Sequence, residues 1–140
     1  MRAALSPPRW AIVDASVWVS RFVPSDVYHV QSRRWLEEHL ASGRRVLAPT
    51  LLLVEVAGAI GRRTTDPTIA RRVVASLRAL PGLTWVGLPG EIRDHAAALA
   101  IDLRLQGADA VYVAIADRLR VPLVTWDAEQ LSRASAASQP

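Results

Sequence analysis

Trp10-Ala11-Ile12-Val13-Asp14 is a short apolar run closed by a carboxylate, the pattern of a strand buried on both faces. The pattern returns in Arg45-Val46-Leu47-Ala48-Pro49, and in Leu83 to Leu88 between Pro81-Gly82 and Pro89-Gly90. It closes the series in Pro122-Leu123-Val124-Thr125-Trp126, which runs into Asp127. The chain between these strands carries helical signals. Pro24-Ser25-Asp26 reads as a helix start, and Val27, Val30, Trp35, Leu36 and Leu40 follow at helical spacing up to Gly43. Thr50 is placed to cap a helix over Leu51 to Arg63, and Pro67 to Leu80 is the next. Glu91 to Leu105, closed by Gly107, and Asp109 to Leu119 complete the set. Parallel neighbours need a crossover, and the usual crossover is a helix. The class expected is therefore α/β, a three-layer α/β/α sandwich around a central parallel sheet.

The 140 residues suffice for one compact domain and are too few for two ordinary ones. Residues 1–9 read as an N-terminal extension, 10–131 as the domain and 132–140 as a loose tail. An apolar fraction of 51% against 21% charged residues is that of a globular protein. No uncharged apolar run approaches the roughly 18 to 20 residues of a membrane helix, because Val46 to Val54 is stopped by Glu55. Pro7, Pro8 and Arg9 interrupt the apolar start too early for a secretory signal, so a soluble, cytoplasmic protein is expected. The absence of cysteine excludes disulfide scaffolds, zinc ribbons and thiol catalysis. All 17 basic residues are arginine, which excludes any mechanism that needs a lysine. The net charge of +4 and a pI near 10.9 suit a polyanionic partner.

Glu55 stands out, since it lies in Leu51-Leu52-Leu53-Val54-Glu55-Val56-Ala57-Gly58-Ala59-Ile60, a segment apolar nearly all round and so expected to be buried. A carboxylate there costs several kcal/mol unless it is protonated, hydrogen-bonded or faces a cation. Asp14 ends a strand, Asp109 opens an apolar helix, and Asp127 precedes Ala128-Glu129-Gln130, close to a capping box. Capping alone accounts for each of these three taken singly. Together, all four acids fall at the last residue of a strand or in the first turns of the next helix, along one edge of the sheet. Carboxylates gathered there repel one another and generally persist by binding a cation. Oxygen ligands without His or Cys point to Mg²⁺ or Mn²⁺, and those ions to phosphoesters.

Several segments stand in the order and approximate spacing of a known family: Asp14-Ala15-Ser16 after an apolar strand, Glu55 in its helix, Gly107-Ala108-Asp109-Ala110-Val111-Tyr112-Val113-Ala114-Ile115-Ala116, and Leu123-Val124-Thr125-Trp126-Asp127. The sequence resembles PIN-domain nucleases, and VapC-type toxins in particular, from Ile12 to Leu131. The resemblance implies a parallel sheet between helices, an acidic metal site, single-stranded RNA as substrate, a homodimer and a VapB-type antitoxin partner. It carries Asp14, Glu55 and Asp109 onto the family's core acids and Asp127 onto a more variable fourth, with Mg²⁺ or Mn²⁺ as cofactor. Ser16 and Thr125 match polar positions that help to place water or metal. The stretch before the first strand and Trp18 depart from the common pattern without touching the acids.

The chemistry this implies is metal-dependent hydrolysis of an RNA phosphodiester, with metal lowering the pKa of a bound water. Arg44, Arg45, Arg62, Arg63, Arg71 and Arg72 form basic pairs that could draw RNA to the rim, or equally a solvated face or an antitoxin contact. Trp85, Trp126 and Tyr112 sit in apolar runs and read as core before base-stacking; Asp117 reads as exposed or paired with Arg, and no role falls to His29, His39 or His95. A phosphorylated-Asp protein, a receiver or a haloacid-dehalogenase-like phosphatase, resembles families that depend on a lysine near the phosphoryl group; the chain has none, and this reading ranks low. The competing reading is a PIN-like interaction module that binds antitoxin or RNA without cutting.

Overall fold

The apolar runs form strands and the segments between them form helices in a computed structural model that describes residues 9–140. The N-terminal extension, apart from Arg9, lies outside the described residues. Chain order is β1 (Trp10–Val13), α1 (Ala15–Phe22), α2 (His29–Ala41), β2 (Arg45–Pro49), α3 (Leu51–Thr64), α4 (Pro67–Ala79), β3 (Leu83–Val86), α5 (Gly90–Asp102), α6 (Gly107–Leu119), β4 (Leu123–Val124), α7 (Ala128–Arg133) and β5 (Ala137–Ser138). The five strands form one sheet in the order β3-β2-β1-β4-β5, every pairing parallel. Right-handed crossovers, the rule for such connections, assign α1 to α4 to one face and α5 to α7 to the other. The α/β/α sandwich expected from the sequence is the architecture observed.

β1 lies at the centre because its residues are the most apolar: Ala11, Ile12 and Val13 are all buried and pair with β2 on one side and β4 on the other. The turn into β3 depends on Gly82, whose φ of 89° suits a residue without Cβ; a Cβ there would meet Leu40 Cδ2 at 2.9 Å.

Several boundaries differ from expectation. Asp14 caps an unexpected helix, α1, by accepting from Ser16 N at 2.9 Å. The following helix starts at His29 rather than near Asp26, because the Asp26 carboxylate accepts from Tyr28 N and holds that stretch as a turn. Thr50 makes no side-chain cap; its backbone is helical and its N–H extends the ladder to Val86 O at 2.9 Å. Asp109 does not open its helix, since α6 starts at Gly107. Gly107 therefore does not close α5, where Arg104, at φ 54°, takes the left-handed position instead. α3 is not buried all round: Leu52, Val56 and Ile60 face the core while Val54 is 74% exposed.

The stretch expected as a loose tail contributes β5, which pairs with β4. Leu123 N donates to Ala136 O at 3.0 Å and Thr125 N to Ser138 O at 2.9 Å. Removing residues 135–140 leaves these donors unpaired, and with net hydrogen-bond values near 1 kcal/mol each the loss expected is about 2 kcal/mol. A lowered urea midpoint with unchanged slope checks it.

Candidate active site

The chain runs outward from β1 to β2 and β3, then returns to place β4 against the other side of β1. The sheet therefore changes winding direction between β1 and β4, and beyond the carboxyl ends of strands at such a point lies the crevice where α/β folds bind ligands. Asp14 follows β1 directly and Asp127 follows β4 by three residues, so the two acids flank this crevice. Asp14 N donates to Val124 O at 2.9 Å, which ties the two strand ends together.

The crevice opens into a cavity of about 690 Å³ whose walls include Asp14, Ser16, Glu55 and Asp127. Asp109 and Thr125 do not line it. Asp14 is nearly buried, and its two oxygens accept from Ser16 N at 2.9 Å and from Gln130 Nε2 at 3.4 Å. Burial pushes its pKa above the usual carboxylate value, against those hydrogen bonds and with some help from Asp127. Glu55 is half-buried on α3, and Tyr112 of α6 donates to its Oε1 at 2.7 Å, bridging the two helical layers. Burial raises the Glu55 pKa to about 7; the Tyr112 hydroxyl opposes the rise, while Asp14 and Asp109 add to it. Asp109 is driven up to about 6 by burial and then by the charges of Asp127, Asp14 and Glu129. Asp127 caps α7 by accepting from Gln130 N at 2.8 Å.

Among the described residues, the ion pairs on the molecule leave all four of these acids without a guanidinium or imidazolium. Like charges without a counter-charge repel, and among the described residues no three such side chains converge into a ready metal cage. The donor set nevertheless fits a hydrated Mg²⁺ or Mn²⁺, which takes one or two carboxylates directly and keeps several waters. It is purely anionic oxygen, and Asp14, Glu55 and Asp127 open to the cavity.

Ser16 and Thr125 belong to a network that holds the crevice together. Thr125 is fully buried; its hydroxyl donates to Gln130 Oε1 at 2.7 Å and accepts from Asp127 N at 2.9 Å. Ser16 Oγ lies 3.4 Å from Thr125 Oγ1 and accepts from Trp126 N at 3.1 Å.

The family model described as PIN domain matches residues 11–136, nearly the whole described chain. The chain belongs to the PIN-domain family. No curated protein matches its sequence. Among solved structures this PIN domain is similar to VapC20 of Mycobacterium tuberculosis, a toxin that cleaves the sarcin-ricin loop: the TM-score is 0.74, identity 16%, and the match covers 93% of this chain and 99% of that one. It is similar also to a chain of a toxin-antitoxin complex from Klebsiella pneumoniae, with TM-score 0.68, 17% identity and coverage of 93% and 97%. A third match is to VapBC2 of Rickettsia felis bound to a promoter DNA fragment, with TM-score 0.69, 12% identity and coverage of 94% and 97%. At these identities the likeness is one of fold.

Sequence reasoning missed three contributors. Gln130 was read only as a capping position, yet its buried amide also bonds Asp109 O at 3.2 Å. Tyr112 is fully buried, as its apolar run implied, but its hydroxyl had to be spent on something, and Glu55 in its own apolar helix was the available signal. Asp26 reaches the same cavity and takes Arg63 Nη1 at 2.6 Å. Asp117, expected to be exposed or to meet an arginine, is exposed and bonds His95 Nε2 at 2.6 Å.

Proposed function

We propose that this PIN domain is an endoribonuclease that requires Mg²⁺ or Mn²⁺ and acts in the cytoplasm as the toxin of a toxin-antitoxin pair. The observation that supports it most is the set of uncompensated acids, Asp14, Glu55, Asp109 and Asp127, at the winding change of the sheet. Structurally similar proteins include a sarcin-ricin loop cleaving toxin and members of toxin-antitoxin complexes, which favours an antitoxin partner for this chain as well. A homodimer belongs to the same proposal.

In this reading Asp14, Glu55, Asp109 and Asp127 hold the cation. When bound, such an ion supplies a water of lowered pKa and neutralises charge on phosphate oxygens. The chain itself provides position. Tyr112 orients Glu55, Gln130 orients Asp14, and the Ser16 and Thr125 hydroxyls fix the Trp126-Asp127 turn against α1. The test is cleavage of total RNA by purified protein with Mg²⁺ or Mn²⁺, with a chelator, and by Asp14→Asn. Chelation and the substitution should each remove the activity. Equal cutting by Asp14→Asn would identify a contaminant and leave the non-cleaving interaction module as the better account.

A further inference from the structure

The cavity holds more than acids. Tyr28 lies flat on Trp126, ring centroids 4.0 Å apart and planes 9° from parallel, and both rings line the cavity with Asp14, Glu55 and Asp127. Trp126 is fixed on the inner side: its Nε1 donates to Ser32 Oγ at 2.8 Å, and Ser32 is buried against Ser20 with hydroxyls 2.6 Å apart. Tyr28 is fixed through its backbone. Its N–H donates to Asp26 Oδ1 at 2.9 Å, and the other Asp26 oxygen is held by Arg63 of α3. Tyr28 has one face on Trp126, lines the cavity and keeps 39% of its surface exposed. Burying a ring already held in place costs little conformational entropy, which is the condition for a good stacking platform.

A cation stands in the same cavity. Arg62 lines it and, among the described residues, has no carboxylate within ion-pair distance, whereas its neighbour Arg63 is committed to Asp26. Gly58, one turn earlier, gives it room: a Cβ there would stand 3.3 Å from Arg62 Nη1. The guanidinium thus folds back along α3 toward the turn that carries Glu55. An unpaired guanidinium, a rigid aromatic face and an acidic cluster around one opening match the three parts of a nucleotide at a cutting site: phosphate, base and reacting bond.

We propose that Tyr28, backed by Trp126, and Arg62 form a subsite for one unpaired nucleotide of the RNA, the base stacking on Tyr28 and a backbone phosphate meeting Arg62. The inference rests on RNA being the substrate and adds that the strand must present a splayed base beside the cut. A base inside a duplex has no free face to offer, so Tyr28 and Arg62 are assigned as the side chains that meet an unpaired nucleotide.

The test uses the full chain with a short fluorescent oligoribonucleotide of adenine and uracil, bound in Ca²⁺ and followed by anisotropy, with cleavage in Mn²⁺ measured alongside. Tyr28→Ala and Tyr28→Leu should weaken binding about tenfold and raise KM to match, whereas Tyr28→Phe restores both. Leucine keeps apolar cover over Trp126 without a π face, which separates stacking from packing. Arg62→Gln should lower the slope of log affinity against log salt by about 0.7, the value for one phosphate on a single strand. Equal binding and KM for wild type and Tyr28→Leu, or an unchanged salt slope in Arg62→Gln, overturn the subsite even when the wild type cuts RNA. Tyr28-dependent binding without cutting by the wild type overturns the nuclease assignment and leaves the subsite standing.

Discussion

Glu55→Gln is expected to raise the melting temperature of the metal-free protein while lowering RNA cleavage about a hundredfold or more. The two effects share one cause. Burial together with Asp14 and Asp109 raises the Glu55 carboxyl from its ordinary 4.5 to about 7, so the folded chain holds that proton more tightly than the unfolded chain does. Stability from the neutral form is then complete below the ordinary value and is lost as pH rises toward about 7. Asp109, raised from 3.8 to about 6, acts in the same direction over a lower window. The metal-free protein should therefore melt at progressively lower temperature as pH rises through both windows. Glutamine cannot ionise, keeps an oxygen for the Tyr112 hydroxyl, and flattens the upper part of that curve. Mg²⁺ should restore wild-type stability near neutral pH and do less for the variant. The activity loss follows because a cation held by fewer carboxylates loses several kcal/mol of charge stabilisation, and each 1.36 kcal/mol is tenfold in rate. Melting curves across pH, with chelator and with Mg²⁺, check the first part, and single-turnover cleavage the second. A wild-type melting temperature flat across the window, or a glutamine variant that cuts normally, would refute the account.

Gln130→Leu should cost about 3 kcal/mol of stability and, in the folded variant, slow cleavage by a further ten- to hundredfold. Gln130 is fully buried and its amide meets Thr125 Oγ1, Asp14 Oδ1 and Asp109 O. Leucine fills similar space but satisfies none of them. A buried polar group left without a partner costs about 1 to 3 kcal/mol; the Thr125 hydroxyl can turn to Ser16 Oγ, 3.4 Å away, and Asp14 keeps its bond from Ser16 N. The effect on rate has the size expected when a group that orients a metal-binding carboxylate is lost. Urea denaturation gives the first number, and cleavage measured well below the melting temperature gives the second. A stable, fully active Gln130→Leu would show that Asp14 holds its orientation without the amide.

Four of the five strands were legible as short apolar runs, and Asp14 and Asp127 stand out because a carboxylate just past such a run breaks it visibly. α1 was not, for a related reason. Ala15, Val17, Trp18, Val19 and Ser20 are buried, so the helix has no polar stripe, and its valines and tryptophan are weak helix formers. The end of α5 was misplaced because Arg104 adopts the backbone conformation that normally advertises itself as glycine. β5 has two residues and owes its existence to the open edge of β4, which no local pattern encodes. At the site, the sequence supplied Asp14, Glu55, Asp109, Asp127, Ser16 and Thr125, but not the groups that hold or line it. Gln130, Tyr112 and Tyr28 act through where their side chains point, and Asp26 through an arginine 37 residues away.

The contact between Gln130 and Asp14 joins residues 116 positions apart. The acidic centre is therefore not a local unit: Asp14 meets Gln130 and Asp127 only once β4 has docked beside β1, so the centre forms with the sheet and not ahead of it. Without β4 and the segment after it, Asp14 and Glu55 have no second wall to face them.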